Sequence, residues 1–209
     1  MDYRRPLLIV TPTLDGDVLA TLARGEVELS GRELARHVGH GSTEGIRRAA
    51  DRLVGQGTVL RRAAGGAHLY RLNRDHLAAP YIERLANPRG ELIERLRSML
   101  TEWSEPAKVA MLFGSVARGE ATSTSDLDLL VVRPRAIDAD ADVWRTQLLE
   151  LERAVTSWTG NDTRIVEYGE DDLAGLTDEP LLADVLDEGI ELVGTRRGLK
   201  RMLGEGRSG

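Results

Sequence analysis

The 209-residue sequence contains no cysteine. That excludes a disulfide framework, thiolate zinc sites and cysteine nucleophiles. Histidine is scarce and scattered, at His37, His40, His68 and His76, so a histidine-rich metal cage is not expected. Lysine occurs only at Lys108 and Lys200, which leaves arginine to carry nearly all the positive charge. No apolar run approaches the roughly 18 residues that a membrane helix needs. The opening stretch, MDYRRPLLIVTPTLDGD, follows a short apolar run with Asp15 and Asp17 and shows no small-residue cleavage site. It does not read as a signal peptide, and the cytoplasm is the expected location.

What is present is the composition of a folded soluble chain, 41% hydrophobic and 30% charged. At roughly 150 residues per domain, the length allows one large domain or two small ones. The net charge of −6 is unevenly spread, which favours two. Residues 1–78 hold twelve arginines against nine acids, whereas residues 107–209 hold twelve bases against twenty acids. The boundaries expected are a front domain at 1–78, a helical linker at 79–106, a rear domain at 107–195 and a basic flexible tail at 196–209.

In the front domain, Leu7–Val10 is short and apolar enough for an edge strand. A helix is expected over 15–23. Ser30-Gly31-Arg32-Glu33 has the form of a capping box, serine at the N-cap and glutamate three residues on. It opens a helix that Gly39 stops. A further helix from Ser42 turns Ile46, Ala49, Ala50, Leu53 and Val54 inward. Two strands, 59–62 and 69–72, flank the turn Ala63-Ala64-Gly65-Gly66. Helix, helix, turn, helix and hairpin is the order of a winged helix-turn-helix. Such a unit reads double-stranded DNA with polar and basic groups on its second helix and cations on its wing. Thr43, Arg47 and Arg48 face outward on the helix, and Arg61 and Arg62 stand on the wing. These five are the candidate DNA contacts. In the linker, Leu92, Ile93, Leu96, Met99, Leu100 and Trp103 recur at helical spacing, a core stripe or a homodimer interface.

The rear domain opens with a buried-type strand, KVAMLF, that runs into Gly114-Ser115. A Gly-Ser at a strand exit lets backbone N–H groups approach an anion closely, and the turn that follows adds donors for phosphate. After ten intervening residues comes Asp126-Leu127-Asp128-Leu129-Leu130-Val131-Val132. Two residues apart on a strand, Asp126 and Asp128 share one face. They make a hard, oxygen-only site suited to Mg²⁺ beside a nucleoside triphosphate, the arrangement that two-metal phosphoryl or nucleotidyl transfer uses.

LFGSVARGEATSTSDLDLLVV resembles the signature of the DNA polymerase β-like nucleotidyltransferase superfamily. It is most similar to the minimal nucleotidyltransferases, with their Phe-Gly-Ser-x-Ala-Arg-Gly run and Ser-Asp-x-Asp. Phe113, Gly114, Ser115, Ala117, Arg118, Gly119, Ser125, Asp126 and Asp128 fill those positions. The resemblance implies an α/β (α+β) chain whose rear part is a mixed sheet with flanking helices. It implies that Gly114, Ser115 and Arg118 hold the nucleoside triphosphate, and that Asp126 and Asp128 are catalytic and bind Mg²⁺. It implies transfer of a nucleoside monophosphate to an acceptor. Some relatives modify a partner toxin, so a protein acceptor or toxin partner is implied too. The whole order resembles winged-helix proteins fused to such a domain, which leaves a regulator that binds nucleotide without turnover as the alternative. The family's third carboxylate falls on a later strand. On TRIVEY that position is Arg164, a departure; Glu167 and Asp162 are the remaining candidates, or none serves. Glu170, Asp171 and Asp172 read as first-turn charges of a helix.

Overall fold

The computed structural model describes residues 1–204. Its elements follow in the order α1 (Leu14–Ala23), β1 (Leu29–Ser30), α2 (Gly31–Val38), α3 (Thr43–Gly55), β2 (Val59–Ala64), β3 (Ala67–Leu72), α4 (Ala79–Ala86), α5 (Pro88–Thr101), β4 (Val109–Phe113), α6 (Gly114–Arg118), β5 (Leu127–Arg133), α7 (Asp142–Thr159), β6 (Thr163–Gly169), α8 (Pro180–Glu188), β7 (Ile190–Val193) and α9 (Arg196–Gly204). The chain divides into two units. The front unit is Arg4–Pro88 with Asp2, and the rear unit runs from Arg89 onward with Met1 and Tyr3.

The front unit forms as its local chemistry dictates. The Ser30 hydroxyl accepts from the Glu33 N–H at 3.3 Å, and the Glu33 carboxylate accepts from the Ser30 N–H at 2.8 Å. Two orphan donors at the start of α2 are thereby satisfied, a contribution of about 1 kcal/mol. The Ser42 hydroxyl accepts from the Gly45 N–H at 3.0 Å and opens α3 in the same way. The inward face of α3, Ile46, Ala49, Ala50 and Leu53, is buried with Val18, Leu34, Tyr70 and Leu72. β2 and β3 pair antiparallel from Val59↔Leu72 to Ala64↔Ala67. That leaves Gly65-Gly66 as a two-residue turn with φ of +54° and +81°, the left-handed geometry such hairpins require.

One expectation fails here. Pro6–Ile9 is a single 3₁₀ turn, not an edge strand, because Leu7 is buried against Ala20 and Ala86. The third strand of the sheet is instead β1, two residues paired to β3 through Leu29↔Tyr70.

The rear sheet is mixed, in the order β6-β5-β4-β7. β5 and β6 are parallel, joined by the crossover helix α7, and the other pairings are antiparallel. Both faces are covered, so its central strands read as continuous apolar runs. Ala110, Leu112, Leu127, Leu129 and Val131 pack with residues of α5 and α7. Val109, Met111, Phe113, Leu130 and Val132 pack with residues of α8 and α9. This alternation fixes which face every later side chain must take.

The segment expected as a linker is helical but is spent on the two cores. α4 buries Ala79 and Ile82 in the front cluster, and α5 buries Leu92, Leu96 and Leu100 in the rear one. That removes the apolar stripe which suggested a homodimer. The expected flexible tail is helical over 196–204, with Leu199, Met202 and Leu203 buried; residues 205–209 lie outside the described residues. No helix opens at Glu170, either. Asp172 accepts from the Gly169 N–H at 3.1 Å in a turn, and Glu170 pairs with Lys108 at 3.2 Å.

Candidate functional site

β4 ends at Phe113, whose partner across the ladder is Asp128. The next residue, Gly114, has φ +70° and begins the short helix α6. A Cβ at Gly114 would stand 2.6 Å from Asp128 Oδ2, a separation that side chains do not tolerate. Glycine therefore lets the backbone lie directly against the carboxylate. The hairpin register, not the spacing alone, thus brings the Gly114-Ser115 turn and the aspartates together.

Asp126 is delivered by a loop held at both ends. Asn161, almost fully buried, donates from Nδ2 to the carbonyls of Thr122 at 2.9 Å and Ser125 at 2.7 Å. The Ser125 hydroxyl accepts from the Thr122 N–H at 3.0 Å. Arg89 donates to the Ala117 carbonyl at 2.6 Å and braces the end of α6. Asn161 and Arg89 were not singled out in the sequence. Nothing local distinguishes Asn161 as a buried asparagine that fastens a distant loop.

The charges sort by face. On β5, Asp128 shares parity with Leu130 and Val132, the face toward α8. On β6, Arg164 stands beside Asp128 in the parallel register and shares parity with Val166 and Tyr168. Arg164 Nη2 lies 2.7 Å from Asp126 Oδ2. Arg164 is largely exposed, so this pair contributes at most about 1 kcal/mol to stability. Glu167 falls on the opposite face. Its Oε1 accepts from Trp144 Nε1 at 2.8 Å and Arg133 Nε at 2.9 Å, on the α7 side. It is separated from the aspartates by the sheet itself. Asp162 is exposed, and its backbone carbonyl accepts from the Leu127 N–H at 2.8 Å. Among the described residues, no group of three or more acidic, histidine or cysteine side chains could hold a metal.

Burial, then the neighbouring Asp126 charge, pushes the Asp128 carboxyl above the ordinary aspartate range; Arg164 and Arg118 pull the other way. A buried carboxylate beside a second one suits a hard divalent cation, which would offset the cost of the Asp128 charge. They would supply two oxygens, and a bound Mg²⁺ would need the rest of its shell from phosphate and water. The residues present fit the ion on those terms.

Arg118 is exposed at the end of α6. It pairs with Glu120 at 2.8 Å and also with Glu188, and these hydrogen bonds, Glu188 first, hold its pKa above the usual arginine value. Glu188 Oε1 also accepts from the Gly114 N–H at 3.1 Å. Glu188, the last residue of α8, escaped the sequence reading because nothing near it in the chain marks it.

The front candidates are all on the surface and, apart from Thr43, each faces an acid. Arg47 pairs with Glu44 at 2.9 Å and Arg48 with Glu44 at 3.2 Å. Arg61 reaches Asp51 at 2.9 Å, and Tyr70 donates to the same oxygen at 3.1 Å. Arg62 pairs with Glu28. Arg61 and Arg62 thus diverge to opposite sides of β2.

With this geometry in hand, residues 91–174 match the family described as Nucleotidyltransferase domain. The matched stretch contains Gly114, Ser115, Arg118, Asp126 and Asp128, and it supports nucleotidyltransferase chemistry in the rear unit. Among solved structures, the chain is similar to a toxin–antitoxin solved with AMP-PNP. The identity is 21%, over 56% of this chain and 84% of that one, with a TM-score of 0.40. It is also similar to a mutant of the toxin–antitoxin MntA-HpeT, at 17% identity over 56% and 84%, with a TM-score of 0.39. At these scores the likenesses carry no inference about function. No curated protein matches the chain. Among the described residues, no helix is long and apolar enough to cross a membrane.

Proposed function

We propose that the rear unit transfers a nucleoside monophosphate from a nucleoside triphosphate to a hydroxyl acceptor, with Mg²⁺ held by Asp126 and Asp128. The observation that carries this reading is the Gly114 turn, at φ +70°, lying directly against the Asp128 carboxylate, where a Cβ would stand 2.6 Å from Oδ2. Gly114 and Ser115 offer backbone N–H groups, and Arg118 a guanidinium, to the phosphate oxygens. In the transfer, the acceptor hydroxyl gives up its proton to water as its oxygen bonds to the α-phosphorus, the bond from that phosphorus to the α–β bridging oxygen breaks, and pyrophosphate leaves. Mg²⁺, when bound, supplies charge neutralisation on the transferring and leaving phosphates. The acceptor, in an antitoxin-like role, is a hydroxyl of a partner protein.

Arg164 favours a second reading. It stands beside Asp126 where a further carboxylate would help activate the acceptor, so nucleotide binding with slow or no turnover is the alternative. Calorimetric titration of each nucleoside triphosphate, with and without Mg²⁺, on wild type and Asp126→Asn, separates the cases when pyrophosphate is assayed in the same samples. The expected result is Mg²⁺-dependent binding lost in Asp126→Asn with the fold retained. Pyrophosphate release identifies the enzyme, binding without release identifies the nucleotide sensor, and equal affinity in the variant removes Asp126 from the metal site.

For the front unit we infer a winged helix-turn-helix that binds double-stranded DNA in the cytoplasm. α3 would lie in the major groove with Thr43, Arg47 and Arg48, and Arg61 and Arg62 would meet phosphates from the hairpin. The element order and the exposure of all five side chains support this. The ion pairs to Glu44, Asp51 and Glu28 must be exchanged for phosphate on binding. All lie at the surface, where that exchange costs little.

A further inference from the structure

We propose that Glu188 occupies, from within the chain, the seat that a phosphate of the nucleotide would take, so that loading the site requires its displacement. The proposal rests on the nucleotide-binding reading of Gly114 and Arg118. One carboxylate oxygen, Glu188 Oε1, accepts from both the Gly114 N–H, at 3.1 Å, and the Arg118 guanidinium. A backbone N–H at a glycine and an arginine fork are the donors that a phosphate oxygen would use. Glu188 and a phosphate therefore compete for the same two groups.

Three features make the carboxylate a stand-in that can leave. Glu188 is the final residue of α8, and a negative charge at a helix C-terminus lies at the wrong end of the helix dipole. Its hold depends on the two donors rather than on its own helix. Its side chain retains 22% of its exposure, so it can swing into water without crossing a packed core. Arg118 keeps Glu120 as a partner at 2.8 Å after Glu188 departs, so release does not strand the guanidinium. Glu188 also lies outside the segment 91–174 that matches the nucleotidyltransferase family. The contact belongs to the part of this chain that follows the matched domain. A triphosphate brings several negative charges against one and wins the exchange, whereas a singly charged anion does not. Glu188 thereby screens the two donors from weak anions and leaves them open to polyphosphates.

The test compares wild type, Glu188→Gln and Glu188→Asp in the full chain. Calorimetry measures inorganic tripolyphosphate without metal, then ATP with Mg²⁺. Glutamine keeps the shape and removes the charge. Aspartate keeps the charge but withdraws it by one methylene. Both variants should bind tripolyphosphate more tightly, glutamine by about tenfold, the scale of losing one charged hydrogen-bond competitor, and aspartate by less. Glu102→Gln, an exposed acid that contacts none of these groups, should leave affinity unchanged and so exclude a general effect of net charge. Unchanged or weaker tripolyphosphate binding in both Glu188 variants, at an unaltered thermal midpoint, overturns the proposal and makes Glu188 a brace for Arg118. Tighter tripolyphosphate binding with no Mg-ATP binding in any form upholds the displacement and rejects the nucleotide reading. Mg-ATP and tripolyphosphate bound equally by all forms upholds the nucleotide reading and rejects the displacement.

Discussion

The front and rear units handle charge in different ways. In the front, Arg47, Arg48, Arg61 and Arg62 lie on the surface, and each is paired with an acid close by in the fold. Water screens such pairs, and any of them can be exchanged without disturbing the core beneath. In the rear, Asp128 sits against a left-handed backbone that favours glycine, and burial raises the cost of its charge. The front charges are options on a scaffold. The rear charges are a constraint that the scaffold was built around, which is why the rear site points to a chemistry and the front surface points to a class of partner.

The sharpest way to break the comparison is Gly114→Ala. The new methyl would meet Asp128 Oδ2, and φ of +70° is strained for alanine. The expected loss is about 1–3 kcal/mol of stability together with nucleotide binding, read by thermal unfolding and calorimetry. Wild-type binding in the variant would show that the turn can move away from the aspartate.

A test of whether the units stand apart removes still more stability, but from the front unit alone. Ile46→Ala empties a fully buried position in the front core and should cost about 2–5 kcal/mol there. DNA binding should fall while Mg-nucleotide affinity stays at the wild-type value. Loss of both together would show that the two units unfold as one.

Smaller effects are expected on the front surface. Arg47→Ala or Arg48→Ala should weaken DNA binding and reduce the slope of log affinity against log salt by roughly 1 per phosphate contact removed. Titrations at several salt concentrations decide it; an unchanged slope would move the contact face elsewhere. The smallest effect concerns Asp128. Its folded pKa lies above its unfolded one, so the folded chain holds the proton more tightly. The stability this gives is full below the unfolded value and is lost as pH rises through the folded one. At neutral pH without metal, Asp128→Asn should therefore raise the melting temperature slightly. A fall would mean that the charged form makes stabilising contacts that outweigh its burial.

Much of this was legible in the chain. Local rules set the capping box at Ser30, the glycine turn at 65–66, the α3 inward face and the strands around Gly114 and Asp126, because each depends on residues within a few positions of one another. The failures share a cause as well. Leu7 and the 196–204 helix were misread because their burial depends on partners far along the chain. The family-like spacing placed Gly114, Ser115, Arg118, Asp126 and Asp128 in one motif, and the β4–β5 pairing Phe113↔Asp128 turned that spacing into a contact.

The sequence by itself determined that a glycine turn and two aspartates two residues apart would lie near each other, because a hairpin of short reach can close only in a few ways. Only the tertiary structure decided what surrounds them. Parallel pairing of β5 with β6 set Arg164 beside the aspartates and sent Glu167 through to the far side, since adjacent strand residues face opposite ways. The packing of α8 on the same face brought Glu188, 74 residues away, onto the Gly114 N–H. Neither outcome is written in any local pattern. Register and helix docking are settled by the burial of whole faces, and the identity of a charged neighbour is a consequence of that burial.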